Sequence, residues 1–493
     1  MSAPVERPDG MESSDEAGTG EHGAQASRAV LGRGSLYTLG TAAPILAQAA
    51  VTPVVTRLLG REAYGLVAQA VVVIQVTMML ASLGLPSVIT RQALMTSNGT
   101  ARARSILLRG SLATLGLAAV AVAATAVVLG GASSVTRQAM VLAVAAGACF
   151  VVVENAQALM RSLDRPLAFI TISSVAMLGG PLLGLAAVLA FGRSAQHYVL
   201  GLLVGYAVAA LTGAALSLGV RLSHERSHAP RDMREAYRLG LPMLPHMVSL
   251  YLASMALVFV AGALYGTADS GRLQLALLIG TAPNVITSSL NNSWAPVVFA
   301  APPERRAAVL ERTAADVAMV AALVAGGVAL LSPWLLRLVA DPRFAPNLLV
   351  PAVCLTTLGA MVSVAYLANV HLVFAQGRPA GLSLITPVSL ALGLAAAWSL
   401  GHLGLVWVAV GFPVAYIALA VGAAALRRKV GGPAWHERGL VIPFLTGSVF
   451  ILCGFVLPTT GPWSLSRWAV AALAGVLVLR HGRQILRPAA SGA

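Results

Sequence analysis

The chain has 493 residues, 57% of them hydrophobic and only 10% charged, with a formal net charge of +15. A soluble domain is about 25% charged, and surface-to-volume scaling leaves no room to hide this much apolar surface in a water-facing fold. Composition therefore excludes an ordinary soluble enzyme and predicts an all-α polytopic membrane protein. The three cysteines, Cys149, Cys354 and Cys453, lie singly in apolar runs without metal-ligand spacing and read as small hydrophobes.

Residues 1–28 stand apart, with Glu6, Asp9, Glu12, Asp15, Glu16 and Glu21 set among Gly, Ser and Ala. They read as a disordered cytoplasmic tail. A signal peptide's basic and apolar segments are missing there, so the first span is expected to serve as an uncleaved insertion signal. Beyond the tail, apolar runs of about 20 residues, enough for about 30 Å of hydrocarbon, recur along the chain. They predict fourteen spans, near 36–59, 64–90, 106–130, 138–160, 167–191, 198–220, 238–265, 273–300, 314–338, 347–375, 379–401, 403–426, 439–457 and 466–480.

Placing both termini in the cytoplasm puts 25 of the 33 basic residues on inside segments and 8 outside, the bias that governs helical membrane proteins. Five of the seven tryptophans, Trp334, Trp398, Trp407, Trp463 and Trp468, fall near predicted outer ends, as an interfacial belt would. The positive charge thus belongs to the cytoplasmic face, where it attracts anionic membrane lipids, and nucleic acid need not be invoked. The longest internal polar stretch, "RLSHERSHAPRDMREAYR" (Arg221–Arg238), divides the chain. The expected organisation is a six-helix lobe over 33–220, a cytoplasmic linker over 221–237, a second six-helix lobe over 238–428 and two further helices within 439–486.

A faint repeat crosses the linker. "LLGREAYGL" closes span one and "LYGTADSGRL" closes span seven, with Gly60/Gly65 and Gly266/Gly271 at the same five-residue spacing. Spans one and seven each carry two prolines, Pro44 with Pro53 and Pro242 with Pro245. Proline removes a helix donor, and interrupted helices at matching positions in two halves predict a site between them.

Span four contains "CFVVVENAQALMR" (Cys149–Arg161). Glu154 sits seven residues before Arg161, so about 10 Å deep at 1.5 Å per residue. Gln157 and Arg161 share its helix stripe, and Asn155 lies about 100° round. An ionisable group at that depth normally faces a cavity or a partner, so Glu154, Asn155 and Gln157 are candidates to line a transport cavity. The alternative is that Glu154 is paired or neutral and only locks packing. Arg57, Arg91, Arg109 and Arg161 are candidates to meet phosphate, which arginine grips bidentately, against the simpler reading that each snorkels to the interface. His246 and His371 lie in spans seven and ten; with Glu154 they are the candidates for proton coupling.

"HERSH" (His224–His228) matches H-E-x-x-H, but zinc chemistry needs a third ligand and a helix, and a charged linker ending in Ala229-Pro230 offers neither; no metal is expected. Lys429, the one lysine, follows Arg428 and precedes Val430, so no Walker-A phosphate loop exists. The nucleophile-elbow pattern G-x-S-x-G is also missing. No catalytic residue and no cofactor is expected.

Residues 33–92 carry "GSLYTLG", "VVTRLLGREAYGLVAQA" and "ASLGLPSVITRQ", a pattern that resembles the opening of bacterial polysaccharide-biosynthesis flippases of the MATE-like superfamily. "ALMRSLDRPLAF" (Ala158–Phe169), "RLGLPMLPHMVS" (Arg238–Ser249), "NNSWAPVVF" (Asn291–Phe299) and "DPRFAPNLLVPAV" (Asp341–Val353) follow in the family's order. An aspartate common in the family before Leu83-Gly84-Leu85-Pro86 is replaced by Ser82, so its role is not carried over. The resemblance implies a V-shaped two-lobed bundle in the bacterial plasma membrane. It would move an undecaprenyl-pyrophosphate-linked glycan to the outer leaflet by alternating access, coupled to a H+ or Na+ gradient, alongside polysaccharide polymerase and glycosyltransferases. Asn291 and Asn292 join the cavity candidates on that ground. The competing readings are a multidrug or organic-cation antiporter of the same superfamily, a peptidoglycan-precursor flippase, and a membrane-embedded glycan polymerase. The last is disfavoured because no outer loop exceeds about ten residues.

Overall fold

The computed structural model describes residues 50–95, 99–220 and 229–486. Among them there is no strand, and thirteen helices are long and apolar enough to cross a bilayer. The predicted tail and most of the first span lie outside the described residues.

Helix α1 (Ala50–Ser82) holds the end of the predicted first span and the body of the second. As one straight rod it would be about 50 Å long, far more than a bilayer needs. Gly60 at φ +74° lies within it, and a left-handed residue turns a right-handed helix out of line. The two limbs of α1 therefore run in different directions. The second stops at Ser82 rather than near residue 90. Leu83 and Gly84 both take positive φ, and Pro86, lacking an N–H, falls in the first turn of a new short helix, α2 (Leu85–Met95), the position that tolerates it. Pro53 lies in the first described turn of α1; the preceding turn, where its missing N–H would be felt, lies outside the described residues, as does Pro44.

The first half continues with α3 (Gly99–Val128), α4 (Ser134–Ser162), α5 (Pro166–Ser174), α6 (Gly180–Phe191) and α7 (Ala195–Leu218). A π-turn, Val175–Gly179, joins α5 to α6 in one span. It widens the helix just before Pro181, whose ring would otherwise press on the carbonyl one turn back. Helices α6 and α7 approach backbone to backbone. A Cβ on Gly201 would lie 2.4 Å from Gly184 Cα, and one on Gly205 2.4 Å from Gly180 Cα. These are two G-x-x-x-G stripes, which let membrane helices pack through small residues.

The predicted linker is helical from residue 229. Helix α8 (Ala229–Gly240) carries Pro230 in its first turn, where the missing N–H costs nothing. Residues 221–228, including the His224–His228 motif, lie outside the described residues. Met233, Ala236 and Tyr237 join the core of α2, α3 and α4, and Gly240 meets the backbone of Leu83 and Gly84. A 3₁₀ turn, Leu241–Met243, containing Pro242 then leads into α9 (Leu244–Tyr265), which is the interruption expected in span seven.

The second half is α10 (Thr267–Gly280), α11 (Ala282–Ala300), α12 (Arg306–Val339), α13 (Val350–Ala375), α14 (Leu382–Gly401) and α15 (Gly411–Lys429), followed by α16 (Val441–Val456) and α17 (Ser466–Leu486). Helices α16 and α17 pack on α12 through Leu323, Leu330, Phe450 and Ala474. Arg467, fully buried, ties them together by donating to the carbonyls of Leu330, Gly454, Leu457 and Pro458. A buried guanidinium is tolerable only when its donors are satisfied in this way.

Candidate functional site

Helix ends carrying Arg102, Arg161, Arg234 and Arg428, with the loop carrying Arg378, gather at one end of the bundle, the basic face; Arg57, Arg137, Arg193 and Asp341 mark the opposite end. The two halves are stitched together at that opposite end. The glycine pair of each faint repeat is used twice. Gly60 and Gly266 both take positive φ at the turn between spans, and Gly65 and Gly271 pack on one another. A Cβ on Gly65 would fall 1.8 Å from the Thr267 carbonyl oxygen, and one on Gly271 3.0 Å from Gly65 Cα. Asp269 between them accepts from Arg272 at 2.8 Å and faces Arg61 of the other half at 3.5 Å. Gln69 donates to Ser270 Oγ at 2.9 Å, Thr56 donates to the Val339 carbonyl at 3.0 Å, and Arg343 donates to the Arg57 carbonyl at 3.0 Å. The Tyr64 ring meets Phe344 edge-on. Asp341 holds Arg343 in place at 2.7 Å. The hydrogen bonds from Arg343 keep the Asp341 carboxyl below the usual carboxylate range.

Deeper in the bundle a cavity of about 180 Å³ separates the halves. Gln75 of α1 lines it from one side, and Tyr251, Met255, Gln274 and Thr281 of α9 to α11 line it from the other. The Gln274 Oε1 atom is buried without a hydrogen-bond partner among the described residues. Glu154 is half-buried on α4, and its charge lies within electrostatic reach of Tyr251 across the interface and of Arg161 on its own helix. Among the described residues no side chain forms a hydrogen bond or ion pair with it.

The structure scatters the other candidates. Asn155 is fully buried and donates to Ser111 on α3, and Gln157 donates to Ser173 on α5 at 2.8 Å; both turn into their own half. Arg161 lies over the Phe169 ring, 5.7 Å from its centroid. Arg57 is at the opposite end of the molecule, donating to the Pro53 carbonyl. Arg109 is exposed on α3. Arg91 lines a separate pocket on the basic face. His246 bonds Thr386 at 2.7 Å within the second half. Asn291 and His371 bond one another at 2.8 Å, and the His371 ring stands edge-on to Trp294; nothing is described of the Asn292 side chain. Sequence reading missed Gln75, Tyr251, Gln274 and Thr281. Tyr and Gln inside an apolar run were the available signal, but it recurs at many positions that merely pack.

An all-helical bundle of two halves, pinned at one end and separated at mid-depth by a cavity where a few polar side chains stand among apolar ones, is the architecture of MATE-like transporters. The structure is similar to the lipid II flippase MurJ in its inward closed conformation, with a TM-score of 0.68 and 13% identity over 92% of this chain and all of that one. It is also similar to an inward-facing multidrug resistance MATE family transporter of the MOP superfamily (TM-score 0.56, 16% identity, 81% and 94% of the two chains). An outward-facing transporter of that family aligns with TM-score 0.57 and 16% identity over 82% and 95%. At these identities the likeness is one of fold. No curated protein matches the sequence. Residues 31–301 match the sequence model of the polysaccharide biosynthesis protein family, and the chain belongs to that family.

Proposed function

We propose that this protein carries an undecaprenyl-pyrophosphate-linked oligosaccharide from the inner to the outer leaflet of the bacterial plasma membrane by alternating access, with both termini cytoplasmic. A diphosphate glycan cannot cross hydrocarbon unaided, because burying unpaired charge and polar groups there is prohibitive. The observation that carries the reading is a set of uncommitted polar groups between the halves: the carboxylate of Glu154, the unpartnered Gln274 amide oxygen and the Tyr251 and Gln75 side chains beside it. Sugar hydroxyls need such acceptors and donors. At about 180 Å³ the cavity is smaller than the 300 Å³ or more of a typical small-ligand pocket, so loading an oligosaccharide requires the halves to part. The polyprenyl tail would stay in lipid. Coupling to a H+ or Na+ gradient falls first to Glu154, since His246 and His371 already have side-chain partners. Polysaccharide polymerase and glycosyltransferases are the expected neighbours in the pathway.

One feature favours a second reading. An acid without an ion pair beside an aromatic ring also suits an organic cation, as in a drug antiporter. The deciding experiment is leaflet-resolved flipping of a fluorescent undecaprenyl-pyrophosphate sugar in proteoliposomes, with uptake of a fluorescent organic cation measured in parallel. Flipping without cation uptake supports the lipid-linked glycan. Cation uptake without flipping overturns it.

A further inference from the structure

The basic face carries a second polar site, away from the interlobe cavity. A pocket of about 980 Å³ is lined by Arg91 of α2 and by Arg234, Glu235, Arg238 and Leu239 of the linker helix α8. Helix α8 turns Met233, Ala236 and Tyr237 toward α2 and α3, positions that share one helical stripe. That docking leaves Arg234 and Arg238, one turn apart, on the exposed side, where they meet Arg91 from the neighbouring helix. Glu235, the acid in the same lining, is engaged by residues of the neighbouring helices. Its Oε2 accepts from Arg102 at 3.2 Å and its Oε1 from Gln92 at 3.5 Å. Among the described residues no acid pairs with Arg91, Arg234 or Arg238. Three guanidinium groups from two chain segments thus share a lining whose acid, Glu235, is already paired with Arg102.

Exposed like charges gathered in one pocket raise the local positive potential and attract an anion. The fit is to a group with several negatively charged oxygens, since each guanidinium offers a planar pair of donors. The pocket lies between α2 and α8, at the same end of the bundle as the other basic helix ends. We infer that Arg91, Arg234 and Arg238 form a binding site for a phosphate-bearing headgroup, built only when the linker helix is docked on the first half. The Gly84–Gly240 approach makes that docking a matter of backbone contact. A Cβ on Gly240 would lie 2.2 Å from the Leu83 carbonyl oxygen, and one on Gly84 2.7 Å from that of Gly240. The site therefore couples phosphate binding to the segment that joins the two halves. The glycan-flipping reading makes a lipid-linked diphosphate one source of the phosphate, and an anionic phospholipid is the other.

The test is native mass spectrometry of the full-length protein in detergent, titrated separately with undecaprenyl pyrophosphate, phosphatidylglycerol and inorganic pyrophosphate. The variants are Arg234→Ala with Arg238→Ala, Arg91→Ala alone, and Arg305→Ala with Arg312→Ala as a control that removes equal charge from the same face. The double variant on α8 should weaken binding of the preferred phosphate probe at least about tenfold, losing two charge-assisted contacts, and the control should not. Tight binding of undecaprenyl pyrophosphate over phosphatidylglycerol names the diphosphate as the ligand; the reverse order names the phospholipid. Equal losses in the α8 variant and the control, or no binding of any probe by the wild-type protein, overturn the site. Flipping measured on the same variants keeps the two readings apart. A protein that flips the lipid-linked sugar while α8 substitutions leave phosphate binding unchanged retains the function and loses this site. A protein that binds phosphatidylglycerol through these arginines but flips no lipid-linked sugar retains the site and loses the function.

Discussion

Glu154 and Asn155 are adjacent in sequence, yet the structure gives them opposite surroundings. Glu154→Gln removes a carboxylate that forms no hydrogen bond or ion pair among the described residues and has Arg161 of its own helix within electrostatic reach, and the isosteric amide keeps the shape. Flipping should fall at least about tenfold, as expected for a lost charged contact with substrate or proton, while the melting temperature stays near wild type. Asn155→Ala removes a fully buried donor from Ser111 and should cost about 1–3 kcal/mol of stability, read as lower melting temperature with flipping largely retained. At the end opposite the basic face the prediction concerns pH. The Asp341 carboxyl is held below its usual range by Arg343. A depressed folded-state pKa stabilises the fold above the unfolded value, and that gain is lost as pH falls through the lower folded one. Asp341→Asn should therefore lower the melting temperature at pH 7 and make no difference once the solution is acid enough to protonate the wild-type carboxyl. That Glu154 and Arg161 stand on one continuous helix was legible in the sequence. The direction of Gln157 was not, because a stripe names a helix face without naming the neighbour that occupies it, and here Ser173 of α5 does.

Helix contacts in this protein are set by glycine as much as by bulk, since lipid tails are as apolar as leucine and give helices no hydrophobic reason to prefer one another. The Gly65–Gly271 crossing is the sharpest case, with the Thr267 carbonyl where a methyl would go. Gly65→Ala must push backbone rather than a flexible side chain, so it should cost at least the 1–3 kcal/mol typical of overpacking. Gly116→Ala, with nothing within 4 Å of its added carbon, should be silent; thermal unfolding of the two variants side by side checks this. At this scale most spans were legible, because apolar length reports membrane crossing directly. Two breaks were not placed, at Leu83-Gly84 and at the π-turn before Pro181, although the glycine and proline that cause them are visible. The G-x-x-x-G stripes of α6 and α7 stand plainly in the sequence, but with 48 glycines spacing alone does not say which pairs meet.

For the whole molecule, the alternating access proposed above requires that the contacts pinning the halves opposite the basic face be strong enough to hold and weak enough to release. They suit that description. Asp269 faces Arg61 across the interface at 3.5 Å with both partly solvated, and ion pairs of that kind contribute little and exchange readily. The glycine crossing and the Tyr64–Phe344 contact are small, dry and specific. The faint sequence echo between "REAYG" and "TADSG" turns out to mark this seam, so the sequence pointed to the place where the halves meet, while the cavity beneath it depended on packing that no repeat encodes. Asp269→Asn should leave Arg61 and Arg272 without their shared acid and let the seam part more often. A cysteine at Gln69, whose side chain reaches Ser270 across the interface, would then react with a water-soluble maleimide several-fold faster in the Asp269→Asn background than in wild type. A faster reaction with altered flipping identifies the seam as a moving gate. An unchanged labelling rate, with only a lower melting temperature, identifies Asp269 as a static brace and moves the release of the halves to other contacts.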